Sequence, residues 1–404
     1  MRSLLLILCL CCAFDAAAQS APPAALRTRA ELQALLDSRG ASPLDAFTPY
    51  GKRRFLRSIA WGSKGVGGFG TAQLVRELDA DQLAAMLDLI DARAYLPQLR
   101  TGLAGDPLRL PEPAADTERR LQALEDTAQA GREEHGASTT AGAPALLRAY
   151  TSLFAGRMDG AALRAAPDAD LPLLFDAAVL ADAWNPGAGA FDDLLRVHRE
   201  LGARGIDTRR TFDASVLHAL EAARRFDAAQ AFRAAHPALA GMAIPDLDDR
   251  LGPAFAGRSI LRYDAAANAL TRVAAPAPAG FQLVILVGAG CHYSQDALAA
   301  IHADADLQAH LRQAGAMLVT APDAPVPTRF IAAWNAANPG LPLSAPHDMR
   351  GWDAMRMANV PHFYLLKDGK VVAEDSGWPD GGNKEALLRL LAAGSPRTAS
   401  AAAR

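Results

Sequence analysis

The sequence predicts an α/β domain at its C-terminal end, a mixed sheet flanked by helices, preceded by a large all-α region. Two observations predict this division. Residues 20–240 carry apolar side chains at helical spacing with few strand signals, whereas residues 281–394 alternate short apolar runs with helical segments. Such alternation is typical of βαβ units. The 404 residues are enough for two to three domains.

The first residues predict a secretory signal peptide over residues 1–18. A positive start at Arg2 is followed by an apolar stretch over residues 4–12 and a small-residue cleavage site at residues 16–18. We therefore expect a periplasmic or secreted protein with no transmembrane segment after signal removal. Lipoprotein modification and a single N-terminal membrane anchor are the alternatives. Three of the four cysteines would leave with this segment: Cys9, Cys11 and Cys12.

Residues 19–238 form the predicted helical region. Amphipathic helices are expected near residues 31–36, 82–90 and 116–134, and paired helices between residues 144 and 237. The pairs are similar to tetratricopeptide-type hairpins but show no fixed period, so a helical bundle is the equal alternative. Gly65–Gly70 matches a G-x-G-x-x-G pattern without a preceding strand, and we interpret it as a loop after Trp61.

Residues 239–280 are interpreted as a connector. They contain a β-hairpin formed by Ser259–Tyr263 and Leu270–Ala274, and a solvated turn at Asp246–Asp249. Beyond them, strands are expected at residues 283–287, 317–320, 362–366 and 370–373, with helices at 294–301, 307–313, 330–338 and 384–393. The predicted α/β domain therefore covers residues 281–394, and residues 395–404 are predicted to be a disordered tail.

Cys291 begins the most informative motif of the chain, Cys291-His292-Tyr293-Ser294. It follows an apolar run and a glycine turn, and it opens a predicted helix. The motif is a C-x-x-C redox motif in which serine replaces the second cysteine. A thiolate at a helix N-terminus is stabilised and reactive, so the position favours nucleophilic chemistry.

The C-terminal part resembles the thioredoxin-like family, and within it the TlpA-like periplasmic group. Three features carry the resemblance in the right order: the Cys291–Ser294 motif between a strand and a helix, Val360-Pro361 entering the next strand, and the turn Lys367-Asp368-Gly369. The resemblance implies a cis Val360–Pro361 bond beside Cys291. It also implies that the main chain of Val360 binds an extended substrate and that Tyr293 contacts it.

The chain departs from the family pattern at three positions. Ser294 replaces the resolving cysteine, Gly290 stands where a tryptophan is usual, and Ile285 stands where a buried acid is usual. The dithiol cycle of the family therefore cannot run. The sequence instead predicts a monothiol oxidoreductase or isomerase in which Cys291 attacks, with His292 and Ser294 stabilising the thiolate.

Protein thiols or disulfides are the expected partners, and the helical region would recruit an envelope protein. The alternative is a non-catalytic envelope scaffold with a redox-inactive thioredoxin fold; homodimerisation through Cys291 is a smaller alternative. No basic excess accompanies the net charge of −3, so we expect no nucleic-acid partner.

No cofactor and no metal site are predicted. Cys291, His292 and His362 would suit copper or zinc if they met, but their spacing matches no metal motif. The remaining histidines are scattered along the chain. Of these, His198 and His218 are interpreted as surface or satisfied core residues.

Overall fold

The computed structural model describes residues 25–38, 40–62, 65–135, 139–275, 277–320, 325–352, 355, 360–379 and 381–394. The predicted signal peptide and C-terminal tail lie outside the described residues. Within the described part, no helix has the length and apolar character needed to cross a bilayer.

The N-terminal region is largely helical, as predicted. Two of its helices begin at a capping box, in which Thr28 and Asp79 each accept a backbone N–H. Its helices are α1 (Arg29–Asp37), α2 (Pro49–Ser58), α3 (Ala72–Glu77), α4 (Ala80–Leu89), α5 (Leu96–Arg100), α6 (Ala115–His135), α7 (Thr139–Phe154), α8 (Gly160–Ala165), α9 (Leu171–Trp184), α10 (Gly189–Ala203), α11 (Phe212–Ala222) and α12 (Phe226–Ala235).

The C-terminal region combines strands and helices. Its helices are α13 (His292–Ala303), α14 (Ala305–Gln313), α15 (Thr328–Ala337) and α16 (Lys384–Gly394). The strands of the described chain are β1 (Ala60–Gly62), β2 (Gly65–Gly68), β3 (Asp246–Asp249), β4 (Ser259–Asp264), β5 (Ala269–Ala274), β6 (Phe281–Val287), β7 (Met317–Thr320), β8 (Leu343–Pro346), β9 (His362–Lys367) and β10 (Lys370–Ser376).

Eight strands form one mixed sheet in the order β10-β9-β6-β7-β8-β4-β5-β3. β6 runs parallel to β7 and antiparallel to β9, and β10 pairs antiparallel with β9. With α13 after β6, α15 before β9 and α16 after β10, this half of the sheet has the thioredoxin-like arrangement that the sequence predicted.

Strand β6 lies between β9 and β7, third from one edge of the sheet, and is buried on both faces. Ile285 and Val287 contribute to the core shared with the helices, whereas Val284 and Leu286 pack on the opposite face with Trp352. A continuous apolar run is what a strand covered on both faces requires. The end of β6, where Cys291 follows, is therefore held on a rigid element.

The predicted connector is wrong as a separate segment, because its strands belong to the same sheet. The β4–β5 hairpin is confirmed, and β4 also pairs with β8 at Ile260–Pro346 and Leu261–Ala345. Residues 246–249 form the parallel edge strand β3 rather than a turn. The aspartate side chains of β3 stay largely exposed while its backbone pairs with β5, which suits a charged edge strand.

The glycine-rich segment after Trp61 was also predicted incorrectly as a loop. It forms an antiparallel hairpin, β1–β2, within the otherwise helical region. A Cβ added at Gly67 would lie 3.3 Å from the backbone nitrogen of Gly62. Glycine is therefore present because the two strands approach closely, although it usually weakens a strand.

Two cores organise the described helices. The first, called here the N-terminal core, gathers apolar residues between Leu26 and Leu96. The second, called the main core, runs without a break from helices α6–α12 into the sheet and α13–α16. Arg224 adds a polar link at this junction, donating to the carbonyl oxygens of Pro346 and His347 at 3.2 and 2.8 Å.

Candidate active site

Cys291 lies at the point where β6 ends and α13 begins, and it is the N-cap residue of that helix. Its backbone N–H donates to the carbonyl of Gly288 at 3.2 Å, and its own carbonyl accepts from the N–H of Gln295 at 3.1 Å. The Gln295 side chain donates to the Ala289 carbonyl at 3.0 Å. These bonds fix the turn, and the thiol remains partly exposed.

The Cys291 thiol donates a hydrogen bond to the carbonyl oxygen of Val360, with 3.2 Å between sulfur and oxygen. The pairing of Leu286 with His362 across β6 and β9 brings Val360 to this place. The Val360–Pro361 peptide bond is cis in the structure. Two residues far apart in sequence therefore meet because their strands are neighbours.

Gly288 belongs to the glycine turn that precedes Cys291. A Cβ added there would lie 2.8 Å from Cγ2 of Val360 and 3.4 Å from Cβ of Cys291. A side chain at Gly288 would therefore push against the side chain of Val360, the residue whose carbonyl accepts the thiol hydrogen bond. At Gly290, by contrast, a Cβ would meet nothing within 4 Å. The position where the family usually has tryptophan is open space beside Cys291.

Ser294 is fully buried, and its hydroxyl oxygen accepts the N–H of Gly288 at 3.1 Å. The predicted hydrogen bond from Ser294 to the Cys291 sulfur is not among the bonds that the described residues form. The serine lies under the turn because α13 directs its first inward-facing side chain toward the core. Its observed contact supports the turn.

His292 and Tyr293 are exposed beside Cys291, and Tyr293 keeps 44% of its surface accessible. Their rings contact each other, with centroids 3.8 Å apart. A large exposed aromatic side chain next to a partly exposed thiol offers apolar contact area to an incoming chain.

The described structure gives Cys291, His292 and His362 different surroundings. His362 is buried, stacks on Tyr364 with ring centroids 4.0 Å apart, and lies 3.4 Å from a Glu374 carboxylate oxygen. Within the described residues, Cys291, His292 and His362 do not form a group of converging metal donors. What converges here is one thiol, one main-chain carbonyl and an exposed aromatic surface.

No protein-family model and no curated protein matches the chain. Solved structures do match, and three of them come from bacterial proteins. StoA from Bacillus subtilis is 15% identical with a TM-score of 0.25, over 34% of this chain and 98% of its own. An uncharacterized thioredoxin-like protein from Porphyromonas gingivalis is 13% identical with a TM-score of 0.24, over 34% and 88%. A thioredoxin-like protein from Bacteroides caccae is 13% identical with a TM-score of 0.25, over 71% and 98%. The order and direction of strands β6, β7, β9 and β10 give the C-terminal part of this chain a thioredoxin-like fold.

Proposed function

We propose that the protein is a monothiol oxidoreductase or isomerase that uses Cys291 on protein thiols and disulfides. The observation that carries the proposal is the partly exposed thiol at the N-terminus of α13, in contact with the carbonyl of Val360. A helix N-terminus favours an anion, and the thiolate is the attacking form of cysteine.

The reaction is a thiol–disulfide exchange in two steps. Cys291 loses its proton to solvent, and its sulfur attacks one sulfur of a client disulfide. The client S–S bond breaks, the leaving thiolate takes up a proton, and a Cys291–client disulfide forms. A second client thiolate then attacks the bound client sulfur and returns Cys291 as a thiolate. The client is rearranged, and no external oxidant or reductant is consumed.

Val360 would couple client binding to thiol release. In the resting protein, its carbonyl oxygen accepts the Cys291 S–H. The thioredoxin resemblance implies that an extended client chain pairs with the main chain at this position. A client N–H that donates to the Val360 carbonyl would replace the Cys291 S–H at that oxygen. The thiol would then be free beside the bound disulfide. Tyr293 would contact the same client.

Export belongs to the same proposal. A signal peptide over residues 1–18 would deliver the chain to an oxidising compartment, where client disulfides persist. Cys291 would then be the only cysteine left in the protein, and no second protein thiol would compete with the client.

Thiol reactivity tests the enzyme hypothesis directly. In the full chain carrying Cys9→Ser, Cys11→Ser and Cys12→Ser, we expect iodoacetamide to alkylate Cys291 in the native state. We also expect the protein to accelerate reactivation of a ribonuclease with scrambled disulfides, and Cys291→Ala to abolish this. Alkylation only after unfolding would instead favour the non-catalytic scaffold.

A preformed mixed disulfide between Cys291 and a single-cysteine peptide tests the monothiol step. We expect the peptide to remain bound until glutathione is added. In the Ser294→Cys variant, attack by the new thiol on the Cys291 sulfur would release the peptide without glutathione. Spontaneous release from the unmodified motif would contradict monothiol chemistry.

Tyr293→Ala should slow mixed-disulfide formation, and the matched exposed tyrosine variant Tyr95→Ala should not.

A further inference from the structure

A second group of reactive side chains lies in the helical region, away from Cys291. The group consists of His198 on α10, Asp213 in the first turn of α11 and His236 at the C-terminal cap of α12, and each residue places one possible metal-ligand atom near the other two. These donor atoms lie within 4.8 Å of one another. His198 and Asp213 are buried, and His236 is partly buried.

The hydrogen bonds around the group leave one nitrogen of His236 available, whereas His198 and Asp213 are bonded to each other. Nδ1 of His236 lies 2.7 Å from the carbonyl oxygen of Phe232, which fixes Nδ1 as the donor. The Nε2 lone pair of His236 is then free to bind a cation. Histidine metal ligands commonly hold their second nitrogen on a backbone carbonyl in this way. Nε2 of His198 lies 2.7 Å from Oδ1 of Asp213.

Aromatic rings enclose the group. Phe232 stacks on His236 with ring centroids 3.9 Å apart and lies 5.5 Å from His198, and Phe175 lies 6.4 Å from His198. The backbone N–H of Asp213 donates to the carbonyl oxygen of Thr208 at 3.0 Å, which fixes the start of α11. An apolar shell and hydrogen-bonded ligands are the surroundings that metal centres use to fix their ligands and limit water access.

We propose that His198, Asp213 and His236 bind one divalent transition-metal ion, with Zn²⁺ as the reference ion. Two imidazoles and one carboxylate suit zinc and its neighbours, whereas Mg²⁺ and Ca²⁺ require oxygen ligands. Three protein ligands leave a fourth position for water, reached from the partly exposed side of His236.

Binding requires a small local change. Ligand bonds of about 2.0–2.1 Å in a tetrahedral site place ligand atoms about 3.3 Å apart. The His198–Asp213 pair would therefore open by about half an ångström, and His236 would move inward. His198 would give up any proton on Nε2, either to its own Nδ1 or to solvent. The bound ion would join α10, α11 and α12.

This site would stabilise the junction between the helical region and the sheet. Gln230 on α12 donates to a carboxylate oxygen of Asp246 on β3 at 2.6 Å and to the Pro245 carbonyl at 3.4 Å. An ion that holds α12 in place would therefore also restrain β3, the edge strand of the eight-stranded sheet. The role is independent of the thiol chemistry proposed for Cys291.

Zinc titration of the metal-free full chain by calorimetry tests the proposal. We expect one ion per chain at this site. Loss of an outer-shell partner commonly lowers metal affinity roughly 10–100-fold, so loss of a ligand in His236→Ala or Asp213→Asn should lower it about 100-fold or more. His218→Ala, which removes an exposed histidine of the same helix α11, should leave affinity unchanged.

Cobalt(II) provides a readout that does not depend on affinity. Co²⁺ at this site should give visible absorption bands of a four-coordinate ion without the near-ultraviolet band of a thiolate ligand. Circular dichroism of His236→Ala would show that the helices remain folded. Absence of zinc binding in the unmodified protein, binding that survives His236→Ala, or a thiolate band that disappears in Cys291→Ser would each overturn the proposal.

Discussion

The helical and sheet regions differ in what they bury. Among the described residues, every buried carboxylate lies in the helical region: Glu77, Asp170, Asp182, Asp213 and Glu221. The buried charged residues of the sheet region are Arg258 and Arg272. Strand β6 is apolar except for Gln282. The two regions therefore hold their elements together by different means.

The difference follows from backbone hydrogen bonding. A helix leaves its first N–H groups without intrahelical partners, and buried helix ends need acceptors from elsewhere. Asp170 accepts from the Ala114 N–H and the Thr117 hydroxyl, both at 2.7 Å, at the start of α6. Glu77 accepts from the Thr48 N–H at 2.8 Å, at the start of α2. In the sheet, β6 is bonded to a strand on each side and needs no such acceptors.

The largest expected effect is on the ion pair between α3 and α9. Arg76 is buried and forms two bonds to Asp176, at 2.6 and 2.8 Å, and one to Thr211 at 2.8 Å. Arg76→Ala leaves the carboxylate without its partner and should cost about 3–5 kcal/mol of unfolding free energy in urea denaturation.

The matched control for that variant is Arg93→Ala, which removes an exposed pair with Asp88 and should cost less than about 1 kcal/mol. The double variant Arg76→Met, Asp176→Leu should recover most of the loss, because it removes both charges together. Equal losses in Arg76→Ala and Arg93→Ala would contradict a special role for the buried pair.

In the sheet region, the comparable change creates a cavity rather than an unpaired charge. Ile285 on β6 is fully buried, so Ile285→Ala should cost about 3 kcal/mol. The loss should be the same at pH 5 and pH 8, since no titrating group is exposed. Val372→Ala on the exposed face of β10 is the control, with an expected loss under about 0.5 kcal/mol. A strongly pH-dependent loss of unfolding free energy in Ile285→Ala would contradict the proposed difference between the sheet and helical regions.

A smaller effect, in the stabilising direction, is expected at Glu221 on α11. Burial raises the pKa of its carboxyl to about 7, although the charge of Arg224 opposes this. The unfolded chain ionises near pH 4.5, so the native state holds the extra proton between pH 4.5 and 7. This contribution to stability is complete below pH 4.5 and is lost as pH rises through 7.

Glu221→Gln keeps the size and removes the titration. We expect it to stabilise the protein by roughly 2 kcal/mol at pH 8, relative to the parent protein, and to have little effect at pH 4.5. Thermal or urea unfolding at the two pH values measures this. Glu385→Gln, an exposed glutamate on α16, should change neither. Stabilisation by Glu221→Gln at both pH values alike would show that packing, rather than ionisation, is responsible.

Local signals account for what the sequence predicted correctly. A pattern of apolar, glycine or capping residues within a few positions is enough to predict β6, α13, β9 and the turn at Lys367–Gly369. The strands that were missed carry misleading local signals: β3 contains three aspartates, β1 and β2 are mostly glycine, and β8 ends in proline. Their pairing is decided by neighbours distant in sequence, which override intrinsic preference.

The candidate sites follow the same rule. Cys291, His292 and Tyr293 are adjacent in sequence, and their exposure followed from their position at a helix start. The acceptor at Val360 and the close packing of Gly288 depend on the register of β6 with β9. The group of His198, Asp213 and His236 comes from three helices, and no local spacing in the sequence predicts it. The sequence predicts a hydrogen bond from Ser294 to the Cys291 sulfur, whereas the hydroxyl bonds to Gly288. No local pattern in the sequence indicates that Ser294 is buried under the turn.

The separation between the N-terminal core and the main core has a consequence for cooperativity. The helix–sheet junction is crossed by one continuous apolar core, so those parts should unfold as one unit. Tyr50 of α2 packs in the main core. The other links from the N-terminal core to the rest are made largely by arginines: Arg76 to Asp176, Arg54 to Glu125, and Arg210 to the carbonyl oxygens of Val75, Leu78 and Gly105. Denaturation should therefore divide the chain within its helical region, releasing the first helices while the later helices and the sheet remain folded together.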